Sequence, residues 1–444
     1  MIHRYEKKEI SSIWTEEAKF AQYLKVELAI MEGLEKSEQG KRIPLGSALK
    51  ISKIVKINPT RIYEIEEKVK HDVIAFCSSI TEQLPPELAK YFHFGVTSSD
   101  IIDSALSLQI KDSLLPILGV LRELLHTLFH FSKRHQDLPC MGRSHGMYAE
   151  PLSFGQKFLS FYAEFSRRYK ELEQFINEDL TCKFSGAVGN YTVITPEAEA
   201  QAAKILELNV EEVSTQIIPR DRIAKLIQLN ALTASAIERI SVEIRHLHRS
   251  EVFELHEGFS AGQKGSSIMP HKKNPISAEN LTGMSRILRS HTVIALENIV
   301  LWHERDISHS GAERLYLPDH FGILYYAITR LNSMIKNLNV HQDVIEKRVS
   351  NNFTYLSSFY LHFLLSQNDS RREDFYEILQ KAAFQAEAQN SLDTFFSVIK
   401  LELKNRSIDI KLPEQTYEQV KEIYLGKTQM VFDRTLKSYP LPRL

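Results

Sequence analysis

Residues 222 to 255 contain no proline and would be apolar around much of a helix's circumference. Ile237, Ile240, Ile244 and Leu247 form one stripe, while Leu232, Ala236 and Val242 lie off it. A helix that is apolar on several sides needs neighbours on several sides. Four more long helical patterns accompany it. One is capped by Ser99 or Asp100 and runs towards Gln136, with a kink expected at Pro116. The others cover about 152–180, 275–300 (Leu281, Met284 and Leu288 on one face) and 319–338. Hardly any strand signal separates them, so the chain reads as all-α around a central long-helix bundle. The wide apolar coverage predicts that bundles pack together into a multi-helix core in a homo-oligomer.

The flanks have shorter periods. Trp14 to Leu34 and Arg61 to Ile80 each show helical spacing, with Lys70, His71 and Asp72 falling inside the second. Residues beyond Val344 return to short amphipathic helices. This predicts three helical domains, at 1–93, 94–343 and 344–444, a division that 444 residues allow at roughly 150 per domain. The 55 basic and 56 acidic side chains nearly cancel, which argues against nucleic acid or an anionic membrane as partner. Cys77, Cys140 and Cys182 lie far apart, without metal-ligand or disulfide-framework spacing. The N-terminus lacks an apolar signal core and no run of about 18 apolar residues is apparent, so a cytoplasmic location is expected.

Three polar knots interrupt this apolar background, at 93–100, 142–146 (Gly-Arg-Ser-His-Gly) and 262–275. The last reads Gly-Gln-Lys-Gly-Ser-Ser-Ile-Met-Pro-His-Lys-Lys-Asn-Pro. Its glycines and prolines oppose both helix and strand, leaving a mobile arch that carries Ser266, Ser267, His271, Lys272 and Lys273. Asn274 is placed to cap a helix whose first residue is Pro275. The free N–H groups of that helix start, with Lys272, would form a place for a carboxylate or phosphate. From the residues alone, His271 or Lys272 is the first choice of base. No His-Glu-x-x-His or phosphate-binding glycine loop occurs, and His246 and His248, two apart on a helix, face different ways.

The 262–275 string closely resembles the Ser-Ser-x-Met-Pro-x-Lys-x-Asn loop of the fumarase/aspartase superfamily, whose members break C–N or C–O bonds and release fumarate. Arg4-Tyr5, Lys70-His71-Asp72, the segment from His93 to Asp100, Pro270 to Asn274 and the run from Leu301 to Arg314 resemble one branch of it, which acts on succinylated purine nucleotides. The resemblance implies elimination of fumarate from such a nucleotide, giving AMP, and from the corresponding aminoimidazole-carboxamide ribotide. It implies a homotetramer whose sites are each assembled from three subunits. No cofactor or metal is expected, because side chains can supply acid, base and cations.

The same resemblance assigns roles. His145 becomes the general acid, a natural task for histidine near neutral pH. Ser266 becomes the general base, a role its hydroxyl would not otherwise suggest, and Glu279 the carboxylate that orients the catalytic histidine. His71 lies near the phosphate and succinyl groups with Lys70 and Asp72 beside it, and Lys272 assists at the loop. His93, Thr97, Ser98, Gln216, Asn274 and Asn280 contact polar parts of the substrate. Arg4, Tyr5, Arg305, Ser310 and Arg314 hold the nucleotide, phosphate being the natural target of the arginines. Taken singly, each arginine would read as a solvated charge.

Some positions depart from the branch's pattern: Glu-Lys-Lys-Glu after Tyr5, Ser144 for a common Thr, Tyr148 for a frequent His and Ala261 for a frequent Lys. None removes a reacting group. The loop alone also fits a sister lyase acting on argininosuccinate or another succinyl amine. A catalytically silent helical scaffold is the reading from another class, against which the intact His145, Ser266 and Lys272 speak.

Overall fold

The computed structural model describes residues 2–258, 268–269, 271–352, 355–413 and 417–443. Five long helices form its centre: α4 (Ser98–Arg134), α5 (Phe154–Glu178), α6 (Asp221–Leu247), α7 (Ile276–Glu297) and α8 (Ser308–Lys336), preceded by α1 (Glu16–Ser37), α2 (Pro59–Val69) and α3 (Asp72–Thr81). Helix α4 packs on α1, α5 and α8, and α6 on α5 and α7. The apolar stripe of α6 explains its central place: Ile237, Ile240 and Ile244 are fully buried.

Several boundaries differ from expectation, each for a local reason. α6 stops at Leu247, and the chain turns through Phe253 at positive φ into a two-residue strand, Leu255–His256, paired with Asn339–Val340. α8 starts eleven residues before the expected Asp319 and runs through Pro318, whose missing N–H leaves the Arg314 carbonyl without its i+4 donor. α4 likewise continues through Pro116, and its cap is Thr97 rather than Ser99 or Asp100. By length and mean hydropathy α4 passes as long enough to cross a membrane, although it contains no unbroken run of 18 apolar residues. Here it is a core helix that buries Asp100 and Asp103.

The predicted helix over Arg61–Ile80 is broken. Lys70 adopts the left-handed conformation at φ 54°, ending α2, and His71 is extended and caps α3 through its ring Nδ1, which accepts the Ile74 N–H at 3.4 Å. The second knot, between α4 and α5, folds as a β-hairpin, β1 (Pro139–Ser144) and β2 (Met147–Ser153). Ser144 pairs with Met147 across a two-residue turn in which His145 and Gly146 both have positive φ, 53° and 78°. That I′-like geometry matches strand twist and favours glycine at its second place.

The C-terminal region holds α9 (Leu356–Gln367), α10 (Arg372–Gln389), α11 (Leu392–Asn405) and α12 (Thr428–Ser438). Residues from Val349 to Leu412 share an apolar cluster of their own, which Met141 of β1 joins. Phe432 on α12 belongs instead to the large core, and the last residues fasten to the bundle: Tyr162 donates to the Tyr439 carbonyl at 2.7 Å.

Candidate active site

The break between α2 and α3 aims Asp72 across the fold. Its Oδ2 accepts from Arg314 Nη2 at 2.6 Å, in the wall of a cavity of about 250 Å³ that Trp14, Tyr23, Tyr63 and Ser310 also line. His71 and Lys70 stand at the same break. Behind Arg314 lies a buried ionic triad. Arg220 donates to Asp103 at 2.7 and 2.9 Å and to Glu313 at 2.9 Å, tying α4, the start of α6 and α8 together. Burial pushes the Asp103 carboxyl up, but the Arg220 guanidinium outweighs this and holds it below the usual range. Burial dominates at Glu313, which is raised. Next to the triad, burial and Arg220 lower His309 to about 4.

A second network gathers Thr97, Gln216 and Arg305 at the start of α4, whose first residue is Ser98. The Thr97 N–H donates to Asp100 at 2.7 Å, and Asp100 is paired with the fully buried Lys183. Lys183 donates in turn to the carbonyls of Gly186 (3.1 Å) and Gln216 (2.8 Å). The Gln216 side chain then accepts from Arg305 at 2.9 Å. Sequence reasoning missed Asp100 and Lys183 as parts of this site, since 83 positions separate them and each charge singly reads as solvated.

Tyr5 and Asn280 meet through Tyr326: the two rings are 5.0 Å apart, and the Tyr326 hydroxyl donates to Asn280 at 3.1 Å. Arg330 donates to the same hydroxyl at 2.7 Å. Arg4 is exposed. At the start of α7 the expectation needs correction. Pro275, not Asn274, holds the cap position, and the helix begins at Ile276. The N–H groups of Ser277 and Ala278, expected to await a substrate anion, donate to the chain's own Glu257 carboxylate at 3.0 and 2.8 Å. Lys272, His271 and Glu279 are exposed nearby, and Ser266 lies outside the described residues.

His145 stands apart from all of these. It is exposed at the hairpin tip and has no hydrogen-bond partner among the described residues, while Arg143, two residues back, is anchored to the buried Glu254 at 3.2 Å. Elsewhere in the bundle the buried His320 contacts His291 at 3.0 Å and Asn230 at 3.1 Å, and burial lowers His320 to about 3.

A family described as lyase matches residues 6–288. Adenylosuccinate lyase of Thermotoga maritima is 40% identical over 436 residues, covering 98% of this chain and 99% of its own length. The chain belongs to the adenylosuccinate lyase family. The enzyme of that name from Synechocystis sp. is 42% identical, over 87% of this chain and 89% of its own. Among solved structures, a fumarate lyase from Mesorhizobium sp. BNC1 superposes with a TM-score of 0.83 at 21% identity, covering 98% and 99% of the two chains. The 3-carboxy-cis,cis-muconate lactonizing enzyme from Pseudomonas putida does so at 0.81 and 20%, covering 98% and 97%. At those identities the likeness is one of fold. This family is one of C–N lyases, and its helical architecture is the one read from the long apolar helices.

Proposed function

We propose that this chain eliminates fumarate from adenylosuccinate, leaving AMP, and from succinyl-aminoimidazole-carboxamide ribotide, leaving the free carboxamide. A base takes the proton from the carbon beside one carboxylate, the electron pair spreads into that carboxylate, and the C–N bond then breaks as an acid protonates the departing purine amino group. Ser266 is the base and His145 the acid in this reading, with Lys272 and the Thr97–Gln216–Arg305 network opposite the dianionic intermediate. Ser310 and Arg314 hold the phosphate end. Oriented donors stabilise developing charge without reorganising, which makes them effective in the transition state.

One observation carries the quaternary part of the reading. His145 is exposed and has no hydrogen-bond partner among the described residues, while the cation-rich networks are built on other elements. An acid so isolated fits a site completed by another copy, as in a homotetramer with shared sites. We also propose the division of the chain at about 93 and 343, supported by the separate apolar cluster between Val349 and Leu412, and a cytoplasmic location, where the nucleotide substrate would be found.

The test is the ultraviolet change on mixing the purified protein with adenylosuccinate, with argininosuccinate in parallel. Equal amounts of AMP and fumarate support the reading. Consumption of argininosuccinate alone would transfer the chain to a sister activity, and inertness towards both would leave the silent scaffold.

A further inference from the structure

His93, which the family resemblance sets against polar parts of the substrate, is paired with Glu27, a buried carboxylate to which no role above is given. Glu27, on α1, is fully buried, and its Oε1 lies 2.6 Å from His93 Nδ1. Its other oxygen, Oε2, has no hydrogen-bond partner. The His93 side chain keeps 28% of its surface exposed. With Nδ1 turned onto a fully buried carboxylate, the accessible edge carries Nε2, which no described residue engages. The backbone of His93 sits at φ 60°, a left-handed conformation uncommon outside glycine. Gly95 follows at φ 75°, where a Cβ would stand 2.5 Å from the Val193 side chain. The turn carries His93 four residues ahead of Thr97, and Asp100, which accepts the Thr97 N–H, acts electrostatically on the ring.

The charged groups around the ring are Glu27 from α1 and Asp100 from α4, with the Cys77 thiol of α3 reaching the Glu27 carboxylate at 3.9 Å. Burial pushes His93 down, but Glu27 and then Asp100 outweigh it and hold the imidazole above its ordinary value. Glu27, Cys77 and His93 also form the one grouping among the described residues with ligand atoms close enough for a metal, all within 4.8 Å. The 2.6 Å separation of Nδ1 and Oε1 is a hydrogen bond's, however. Two ligands on a tetrahedral centre with bonds near 2.0–2.1 Å stand roughly 3.3 Å apart. A shared proton fits the dyad as it stands.

We propose that Glu27 is a positioning residue: it fixes the ring of His93 and keeps it doubly protonated, so that a cationic Nε2–H is offered to an anionic group of the substrate. A carboxylate on one ring nitrogen sets the tautomer and leaves the other nitrogen to act. The role rests on the proposed elimination, which sets the Thr97–Gln216–Arg305 network opposite the dianionic intermediate.

The test has one readout that needs no turnover. Deuterium exchange at the imidazole C2 position, followed by peptide mass spectrometry across pH, reports the titration of His93 in the full assembly. We expect a midpoint above the ordinary 6.5 in the wild type and a lower midpoint in Glu27→Gln. In kinetics, Glu27→Gln should raise KM about tenfold more than it lowers kcat, and the alkaline fall of kcat/KM should begin at lower pH; Glu27→Asp should restore part of both. A wild-type midpoint at or below 6.5 overturns the proposal, even if the variant fails to fold. So does a folded Glu27→Gln protein with unchanged titration and pH profile. If His93 titrates as expected but adenylosuccinate is not cleaved, the proposed elimination falls while the dyad stands.

Discussion

Arg314 donates to Asp72 at 2.6 Å, joining residues 242 positions apart. The guanidinium is more than half exposed, so the pair itself is a modest source of stability. Its value lies in holding Arg314 at a fixed angle beside Ser310. Charge-assisted bonds contribute roughly 1.5–3 kcal/mol, or about 10- to 100-fold in affinity. Arg314→Gln should therefore raise KM and weaken inhibition by AMP within that range, with a smaller effect on kcat. Steady-state kinetics at several AMP concentrations check this; a loss confined to kcat would move Arg314 out of phosphate binding.

His145→Gln should lower kcat by roughly 10²- to 10⁴-fold while circular dichroism and subunit mass stay those of the wild type. Ser266→Ala should do the same. Mixing the two inactive proteins and allowing subunit exchange should restore part of the activity, because some sites would then draw an intact histidine and an intact serine from different chains. Absence of recovery after exchange, verified by native mass spectrometry of labelled subunits, would count against shared sites.

Removing one member of the Asp103–Arg220–Glu313 triad strands the others. Arg220→Met should cost about 3–5 kcal/mol, measured as a lower denaturant midpoint, because two buried carboxylates lose their cation. The Asp103 carboxyl is depressed in the folded state, so its contribution is present above the ordinary 3.8 and lost as pH falls through the lower folded value. Acid unfolding of the wild type should accordingly steepen below pH 4.

The buried histidines act over a higher window. His309 is lowered to about 4 and His320 to about 3 against an ordinary 6.5, so the unfolded chain takes up protons that the folded chain refuses. Stability should decline as pH falls from 6.5 towards 4, by up to about 1.4 kcal/mol per unit for each such group. His309→Asn should flatten that slope in denaturant titrations at successive pH values; an unchanged slope would show that His309 protonates without loss in the native fold.

Legibility in the sequence tracked periodicity. The stripe of α6 was readable because Ile237, Ile240 and Ile244 repeat at helical spacing and each is buried. The hairpin was not, because its register shifts between Met141 and Arg143 and breaks the alternation a strand would show. Lys70 carries no turn signal, so the break that positions His71 and Asp72 was read as helix. Buried charge hides most completely. Lys183, Arg220 and Glu257 look like surface residues until distant segments fold over them, and Glu257 then occupies the N–H groups expected to greet a substrate. The polar knots themselves were visible, because turn-formers and reactive side chains rarely crowd together without a chemical reason.

Glu257 also fastens residue 257 to residues 277 and 278, which holds the two ends of the intervening sequence together. Where the ends of a segment are already joined, added length costs little, each doubling contributing only about 0.6 kcal/mol of closure entropy. α6 and α7 pack on each other along their own lengths. A relative's version of the sequence bearing Ser266, trimmed or extended by a residue or two, is therefore expected to be accepted between 257 and 277 without redesign of either helix.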